Sequence, residues 1–166
     1  PIQMAMMMGA IANDGKLMRP MLVHSLRDES GRVVVKYHSE SIRQVVSSET
    51  AAKVTEALKT VVGEGGTAKR ARMQYHTVAG KTGTAQKPGP GGYMPGKYYS
   101  SFVGFFPADE PALCILVGLD EPAGDYYGGL TAAPVFKAIA ERTASYLGIK
   151  PDLVEQGTVV SSREEP

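Results

Sequence analysis

A five-residue segment, Lys81-Thr82-Gly83-Thr84-Ala85, carries the side chains of this sequence that are best suited to hold a peptide during a reaction. Its lysine supplies a fixed positive charge, and its two threonine hydroxyls are donors suited to a carboxylate. The backbone N–H of Thr84 is suited to face a developing oxyanion. Together with Gly80, the glycine of the segment leaves room for another backbone, so a peptide could pair here as an added strand. The segment therefore indicates a site that binds a peptide carboxylate beside a reacting carbonyl.

The lysine-threonine-glycine triad has an ordinary structural interpretation as well. Three residues of these types recur by chance, and a solvated edge strand with a surface lysine would have the same sequence. The triad alone does not decide between the two interpretations, so the surrounding elements and motifs must.

Other reactive side chains are interpreted as structural. The sequence Asp120-Glu121 is surrounded by proline and glycine, which favours a loop turn over a catalytic carboxylate pair. The single cysteine, Cys114, lies in an apolar run and is interpreted as a small buried hydrophobe. The histidines show no spacing typical of zinc ligation and are interpreted as surface or internally hydrogen-bonded residues, namely His24, His38 and His76. We therefore expect neither a metal nor a cofactor.

The composition is that of an ordinary globular domain. The 166 residues are 43% hydrophobic and 21% charged, with a net charge of +1, so nothing favours nucleic acid as a partner. The apolar run at residues 4–12 is shorter than the roughly 20 residues that cross a bilayer. The sequence begins with Pro1-Ile2-Gln3, which we interpret as part of a larger protein. We expect one domain portion over residues 1–153 and a disordered polar tail over residues 154–166.

The first half predicts two helices and two short strands. Residues 2–13 are apolar on nearly all sides and predict a helix that is buried all round. Residues 21–23 and 33–35 are short β-type runs with a turn between them. Ser47 or Ser48 is suited to cap a second helix, which residues 63–66 end with three glycines. Its apolar side chains recur at helical spacing, and they are Val54, Ala57, Leu58, Val61 and Val62.

The second half predicts three strands and a helix. The strands are residues 76–85, 99–106 and 112–119, with a loop over residues 87–97 and an antiparallel pairing of the last two. The final helix is predicted to open near Pro134. Its predicted inner stripe consists of Phe136, Ile139, Ala140, Thr143 and Leu147. The order of elements indicates an α/β (α+β) fold, in which helices cover an antiparallel β-sheet.

Several longer segments resemble the class B penicillin-binding proteins. The start of the chain, with residues 11–15, resembles the part that follows the second motif of that family. Residues 79–86, Ala-Gly-Lys-Thr-Gly-Thr-Ala-Gln, resemble the third motif. Residues 126–129 and 133–136 resemble the loop and last helix of the septal, cell-division members, although elongation and sporulation members share much of this pattern. The resemblance extends from Pro1 to about Leu153.

The resemblance implies the C-terminal half of a D,D-transpeptidase domain with the fold of penicillin-binding proteins and serine β-lactamases. Lys81 would engage the serine of the second motif and the substrate carboxylate. Thr82, Gly83 and Thr84 would bind the substrate, and the Thr84 amide would complete the oxyanion hole. The implied partners are peptidoglycan stem peptides, β-lactams, division proteins and the upstream half of the same domain. The implied location is the periplasmic or extracytoplasmic face of the cell membrane, with the parent protein anchored by an N-terminal transmembrane helix.

Two motifs of this family are missing from the sequence. None of its serines is followed by a lysine three residues later, and Asn13, its only asparagine, has Ile11 where the second motif needs serine. Both motifs would lie upstream of Pro1, so we expect the chain alone to be inactive.

Two other functions remain as alternatives. One is a β-lactamase or β-lactam sensor, which the Gln86 context disfavours. The other is a non-catalytic division scaffold with a transpeptidase fold.

Overall fold

The computed structural model describes residues 1–153, so the predicted disordered tail at residues 154–166 lies outside the described residues. Three α-helices, one 3₁₀-helix and seven strands occur in this part of the chain. In chain order they are α1 (Ile2–Ala12), β1 (Lys16–Met18), β2 (Ser25–Arg27), β3 (Val33–Lys36), β4 (Ser41–Gln44), α2 (Ser48–Thr60), the 3₁₀-helix (Lys69–Ala71), β5 (Ala79–Gly89), β6 (Gly92–Phe106), β7 (Leu113–Asp120) and α3 (Gly128–Leu147).

The central sheet is antiparallel, with the strand order β5-β6-β7. Lys81 of β5 lies opposite Val103 of β6, and Phe102 of β6 lies opposite Val117 of β7. Helix α3 packs on one face of this sheet, and α1 and α2 pack on the other. The predicted antiparallel sheet covered by helices is therefore confirmed, including the pairing of its last two strands.

Aromatic rings fill the core between the sheet and α3. Phe102, Phe106 and Phe136 are fully buried, and the rings of Phe102 and Phe136 meet edge to face with centroids 4.8 Å apart. Small residues of α3, Ala132 and Ala140 among them, let the helix approach the strands closely. A second core on the opposite face contains Met8 of α1 together with residues of β6, β7 and α2.

The predicted loop over residues 87–97 is wrong, because these residues extend β5 and β6 into a hairpin. Strand β5 continues to Gly89 and β6 begins at Gly92, with Pro88 opposite Tyr93. Residues 92–98 of β6 have no partner in β7. Within the described residues, each strand of this extension therefore pairs on one side only. Proline is tolerated at such an edge, since no ladder donor is needed there.

The small strands before α2 form two separate two-stranded sheets, β1 with β4 and β2 with β3. The predicted run over residues 33–35 and the turn before it are confirmed. The predicted strand over residues 21–23 is wrong, and Leu22 is 98% exposed there. An apolar composition alone does not make a strand where no partner pairs with it.

Helix α1 occupies the predicted residues but is not buried all round. Met8 and Ala10 are buried against the sheet, whereas Ile2 and Met7 are 57% and 58% exposed. The apolar composition of α1 would allow burial on every side, but the described residues cover only one side of this helix. No helix within residues 1–153 is long and apolar enough to span a membrane.

The buried stripes of α2 and α3 differ from the predicted ones. Ala51 and Thr55 of α2 are buried while Ala57 is exposed. Helix α3 opens at Gly128, so Pro134 lies inside its second turn instead of at its start. Its buried side comprises Ala132, Ala133, Phe136, Ala140 and Ala144, whereas the predicted Ile139 and Leu147 are exposed. Alanines allow the close helix–sheet packing seen here, and a count of large apolar residues misses them.

The capping residue of α2 provides a matched pair of variants. Ser47 accepts a hydrogen bond from the Thr50 N–H at 3.1 Å, whereas Ser48 is the first helical residue. We expect Ser47→Ala to lower the free energy of unfolding by about 1 kcal/mol, because a helix N–H loses its partner. Ser48→Ala is the control and should change it little. Urea unfolding monitored by circular dichroism measures both, and equal effects of the two changes would contradict the assignment of the cap.

Candidate active site

Strand β5 presents the 81–85 segment on an edge of the central sheet. One side of β5 pairs with β6, and no strand within the described residues pairs with its other side, which we call the open edge. An edge strand has a row of backbone donors and acceptors to which an extended peptide can add. The segment thus lies on an edge strand within the described residues, as its ordinary structural interpretation requires and as the addition of a peptide strand also requires.

The side chains of the segment alternate between the two faces of the sheet. Thr82 lies opposite Phe102, which belongs to the core beneath α3. Lys81 lies opposite Val103, which belongs to the core beneath α1 and α2. Directly opposite side chains share a face. The two threonine hydroxyls therefore lie on the α3 face of the sheet, and the side chain of Lys81 leaves the backbone on the face covered by α1 and α2.

Two carbonyl oxygens fix the direction of the Thr84 amide. A Cβ placed on Gly128 would lie 2.5 Å from the Gly83 oxygen and 2.2 Å from the Ser101 oxygen, so both oxygens lie between β5 and β6. Gly83 and Ser101 are opposite each other, and such a pair exchanges both of its backbone hydrogen bonds. Backbone groups of the residues on either side of Gly83 point away from the partner strand. The N–H of Thr84 and the C=O of Thr82 consequently face the open edge.

The ammonium group of Lys81 also lies at the open edge. Its Nζ donates a hydrogen bond to the Thr82 carbonyl oxygen at 3.0 Å, and the residue is exposed. A positive charge, two hydroxyls and an outward N–H therefore occur within four residues of one edge. This arrangement can bind a peptide carboxylate and place a carbonyl oxygen against a backbone donor.

The start of α3 is fixed tightly against β5. The Gly128 N–H donates to Thr84 Oγ1 at 3.2 Å. A Cβ on Gly129 would lie 1.9 Å from the Thr67 oxygen, so neither glycine leaves room for a side chain. The fully buried Ser100 of β6 donates to the Tyr126 carbonyl oxygen just before the helix. The sequence analysis did not assign these packing roles to the Gly128-Gly129 pair and Ser100. A serine within an aromatic strand does, however, indicate a buried hydroxyl that needs a hydrogen-bond partner.

Ion pairs attach the β5–β6 hairpin to the end of β7. Lys87 Nζ is 2.8 Å from Asp120 and 2.9 Å from Glu121, and Lys97 also pairs with Glu121. Hydrogen bonds from Lys97 and Lys87 lower the pKa of the Glu121 carboxyl. These carboxylates are paired with lysines, in agreement with their structural interpretation.

The histidines occupy surface and internally hydrogen-bonded positions, as predicted, whereas Cys114 is only half-buried. His76 is buried and its Nε2 is 3.2 Å from the Ile149 carbonyl oxygen, while His24 and His38 are exposed. Burial raises the pKa of the Cys114 thiol to about 11, and its Sγ contacts the Ala5 oxygen at 3.7 Å. Within residues 1–153, no three His, Cys, Asp or Glu side chains are grouped so that they could hold a metal ion.

Comparison with known proteins gives consistent matches over most of the chain. The family model described as penicillin binding protein transpeptidase domain matches residues 1–141. Stage V sporulation protein D of Bacillus subtilis is 39% identical over 153 residues, which are 91% of this chain and 24% of that protein. The probable peptidoglycan D,D-transpeptidase PbpC of Pseudomonas aeruginosa is 35% identical over 98% of this chain and 27% of its own length. This chain thus spans about a quarter of these curated relatives.

A solved structure agrees with the sequence matches. The apo form of penicillin binding protein 3 from Mycobacterium tuberculosis superposes with a TM-score of 0.80 at 36% identity. The match covers 95% of this chain and 38% of that one. The structural match and the sequence matches therefore identify the same family of proteins.

Proposed function

We propose, since this chain belongs to the family of penicillin-binding protein transpeptidase domains, that it forms the substrate-binding half of a serine D,D-transpeptidase of cell-wall synthesis. The observation that carries this proposal is the open edge of β5, which has the outward Thr84 N–H and the Lys81 ammonium group on a strand whose two threonine hydroxyls lie on the α3 face. The relatives named as peptidoglycan D,D-transpeptidases support the reaction class.

In the proposed reaction, a stem peptide ending in D-alanyl-D-alanine lies along β5 as an added strand. Thr82 and Thr84 hold its terminal carboxylate through their hydroxyls, and Lys81 supplies the balancing charge. A serine oxygen attacks the carbonyl of the penultimate residue, and the oxyanion that forms accepts a hydrogen bond from the Thr84 N–H. Terminal D-alanine leaves as the amine and takes up the proton that the serine loses. The amine of a neighbouring stem peptide then attacks the acyl carbonyl, so that an amide bond forms, the ester bond to serine breaks and the serine regains a proton. The absence of a side chain at Gly83 accommodates Ser101 of β6, whose Oγ would lie 2.5 Å from a Cβ at this position.

The attacking serine belongs, in this proposal, to a second half of the domain. Ser100 and Ser101 are buried on β6, so β5 lies between them and the open edge. Helix α1 offers a surface for such a half, because Met6, Met7 and Leu17 help to line an open apolar groove of about 390 Å³. Apolar surface of this kind favours burial against a partner. Because the attacking serine would lie in that second half, we expect the chain alone to be inactive.

The proposed setting is outside the cytoplasmic membrane, where peptidoglycan is cross-linked. We propose a septal role with division proteins as partners, from the resemblance of residues 126–129 and 133–136 to septal members. β-Lactams resemble the D-alanyl-D-alanine end of the stem peptide and should acylate the same serine.

Labelling with a fluorescent penicillin tests this proposal. We expect the 166-residue chain alone to remain unlabelled, and the same chain combined with a serine-bearing upstream half to become labelled. Prior treatment with unlabelled penicillin should prevent the signal. Absence of label on the combined halves would sink the proposal and favour a non-catalytic scaffold. Fast turnover of a chromogenic β-lactam would favour a β-lactamase instead.

A further inference from the structure

Thr67 lies beside the proposed substrate-binding threonines although it is distant from them in sequence. It stands between α2 and the 3₁₀-helix, and its Oγ1 is 3.0 Å from Oγ1 of Thr82. No motif of the sequence drew attention to this residue, because the contact joins positions 15 residues apart. A third hydroxyl therefore adjoins the α3 face of β5.

The backbone of Thr67 is held in place from two sides. Its carbonyl oxygen packs against Gly129 at the start of α3, where a Cβ would lie only 1.9 Å away. The next residue, Ala68, is fully buried, and its N–H donates to the Val61 carbonyl oxygen at 2.9 Å. Thr67 is consequently anchored both to α3 and to the end of α2. Its side chain is exposed, but its anchored backbone presents the hydroxyl to Thr82 from a fixed position, which is what a supporting residue of a binding site requires.

The direction of the hydroxyl–hydroxyl bond decides what Thr82 can do. A threonine hydroxyl has one proton and two lone pairs. If Thr82 donates to Thr67, its only proton is used and it cannot donate to a carboxylate. If Thr67 donates to Thr82, the Thr82 proton stays available, and the incoming hydrogen bond makes Thr82 a stronger donor.

We propose that Thr67 is a positioning residue that donates its hydroxyl proton to Thr82 and thereby directs the Thr82 proton toward the substrate carboxylate. This inference rests on the proposed function, in which Thr82 binds that carboxylate. Thr67 does not touch the substrate in this arrangement, and its effect should therefore depend on whether the substrate has a free carboxylate.

The test compares one penicillin with its methyl ester on the full-length protein that contains this chain. The second-order rate of acylation is measured for the wild type and for Thr67→Val and Thr67→Ser. Valine has nearly the shape of threonine but no hydroxyl, whereas serine keeps the hydroxyl. For the free acid we expect Thr67→Val to lower the rate by about tenfold, which corresponds to one weakened hydrogen bond to a charged group. Thr67→Ser should restore the rate, and the ester should react equally with wild type and both variants.

Thr60→Val is the matched control, because the Thr60 hydroxyl donates only within α2, to the Ala57 oxygen at 2.7 Å. It should leave both rates unchanged. Equal slowing of acid and ester by Thr67→Val, accompanied by a lower melting temperature, would show a purely structural role and overturn the inference. Unchanged rates for the acid would overturn it as well. A wild type that neither compound acylates would instead refute the proposed function, and the inference with it.

Discussion

Replacement of Lys81 by methionine is expected to lower the rate of penicillin acylation of the full-length protein by about a hundredfold or more. The methionine keeps an unbranched side chain of similar length but removes the ammonium group that lies at the open edge beside the Thr82 carbonyl oxygen. Without that charge, the substrate carboxylate and the developing oxyanion lose their nearest cation on β5. Because Lys81 is exposed, the melting temperature should stay unchanged.

Lys53→Met is the control for this change. Lys53 is also an exposed lysine, but it lies on α2 and pairs with Glu49 at 2.7 Å. Exposed pairs of this kind contribute little to stability, so both acylation and melting temperature should be close to those of the wild type. Wild-type acylation by Lys81→Met would remove Lys81 from the site. A loss of acylation that came with a lower melting temperature would assign it a structural role.

The second large effect is expected at the start of α3, with Gly128→Ala. The added methyl group would lie 2.2 Å from the Ser101 oxygen and 2.5 Å from the Gly83 oxygen, both of them backbone atoms. The helix must therefore move away from β5 and lose the hydrogen bond from the Gly128 N–H to Thr84. Overpacking of this kind typically destabilises by about 1–3 kcal/mol. We expect this loss in urea unfolding, together with strongly reduced acylation.

Gly9→Ala is the matched control, since a Cβ on Gly9 in α1 meets nothing within 4 Å. An alanine inside a helix is more stable than a glycine by about 0.5–1 kcal/mol. In urea unfolding of this chain, Gly9→Ala should therefore be slightly more stable than the wild type. A Gly128→Ala protein with wild-type stability and acylation would contradict the tight contact between α3 and the site.

Features that depend on local pattern could be predicted from the sequence. The antiparallel sheet and the serine cap of α2 follow from alternation and capping chemistry. The assignment of a role to Lys81 and Thr84 needed the resemblance of longer segments, because a lysine-threonine-glycine triad is too short to be specific.

Features that depend on contacts between distant residues could not be predicted. Residues 87–97 have the proline and glycine content of a loop, yet they pair as a hairpin, in which Pro88 is tolerated because each strand of the extension pairs on one side only. The contact between Thr67 and Thr82 depends on how α3 packs against β5. The exposure of Met7 depends on which surfaces the described residues cover, which composition does not specify.

The central claim is that the open edge of β5 holds the acyl group while a serine outside this chain carries it. A crystal structure of the full-length protein acylated by a penicillin tests this claim most directly. We expect the acyl carbonyl oxygen at about 2.7–3.1 Å from the Thr84 nitrogen, with the penicillin carboxylate on the hydroxyls of Thr82 and Thr84. An acyl group attached to a serine of this chain, or one whose carbonyl oxygen points away from Thr84, would contradict the account.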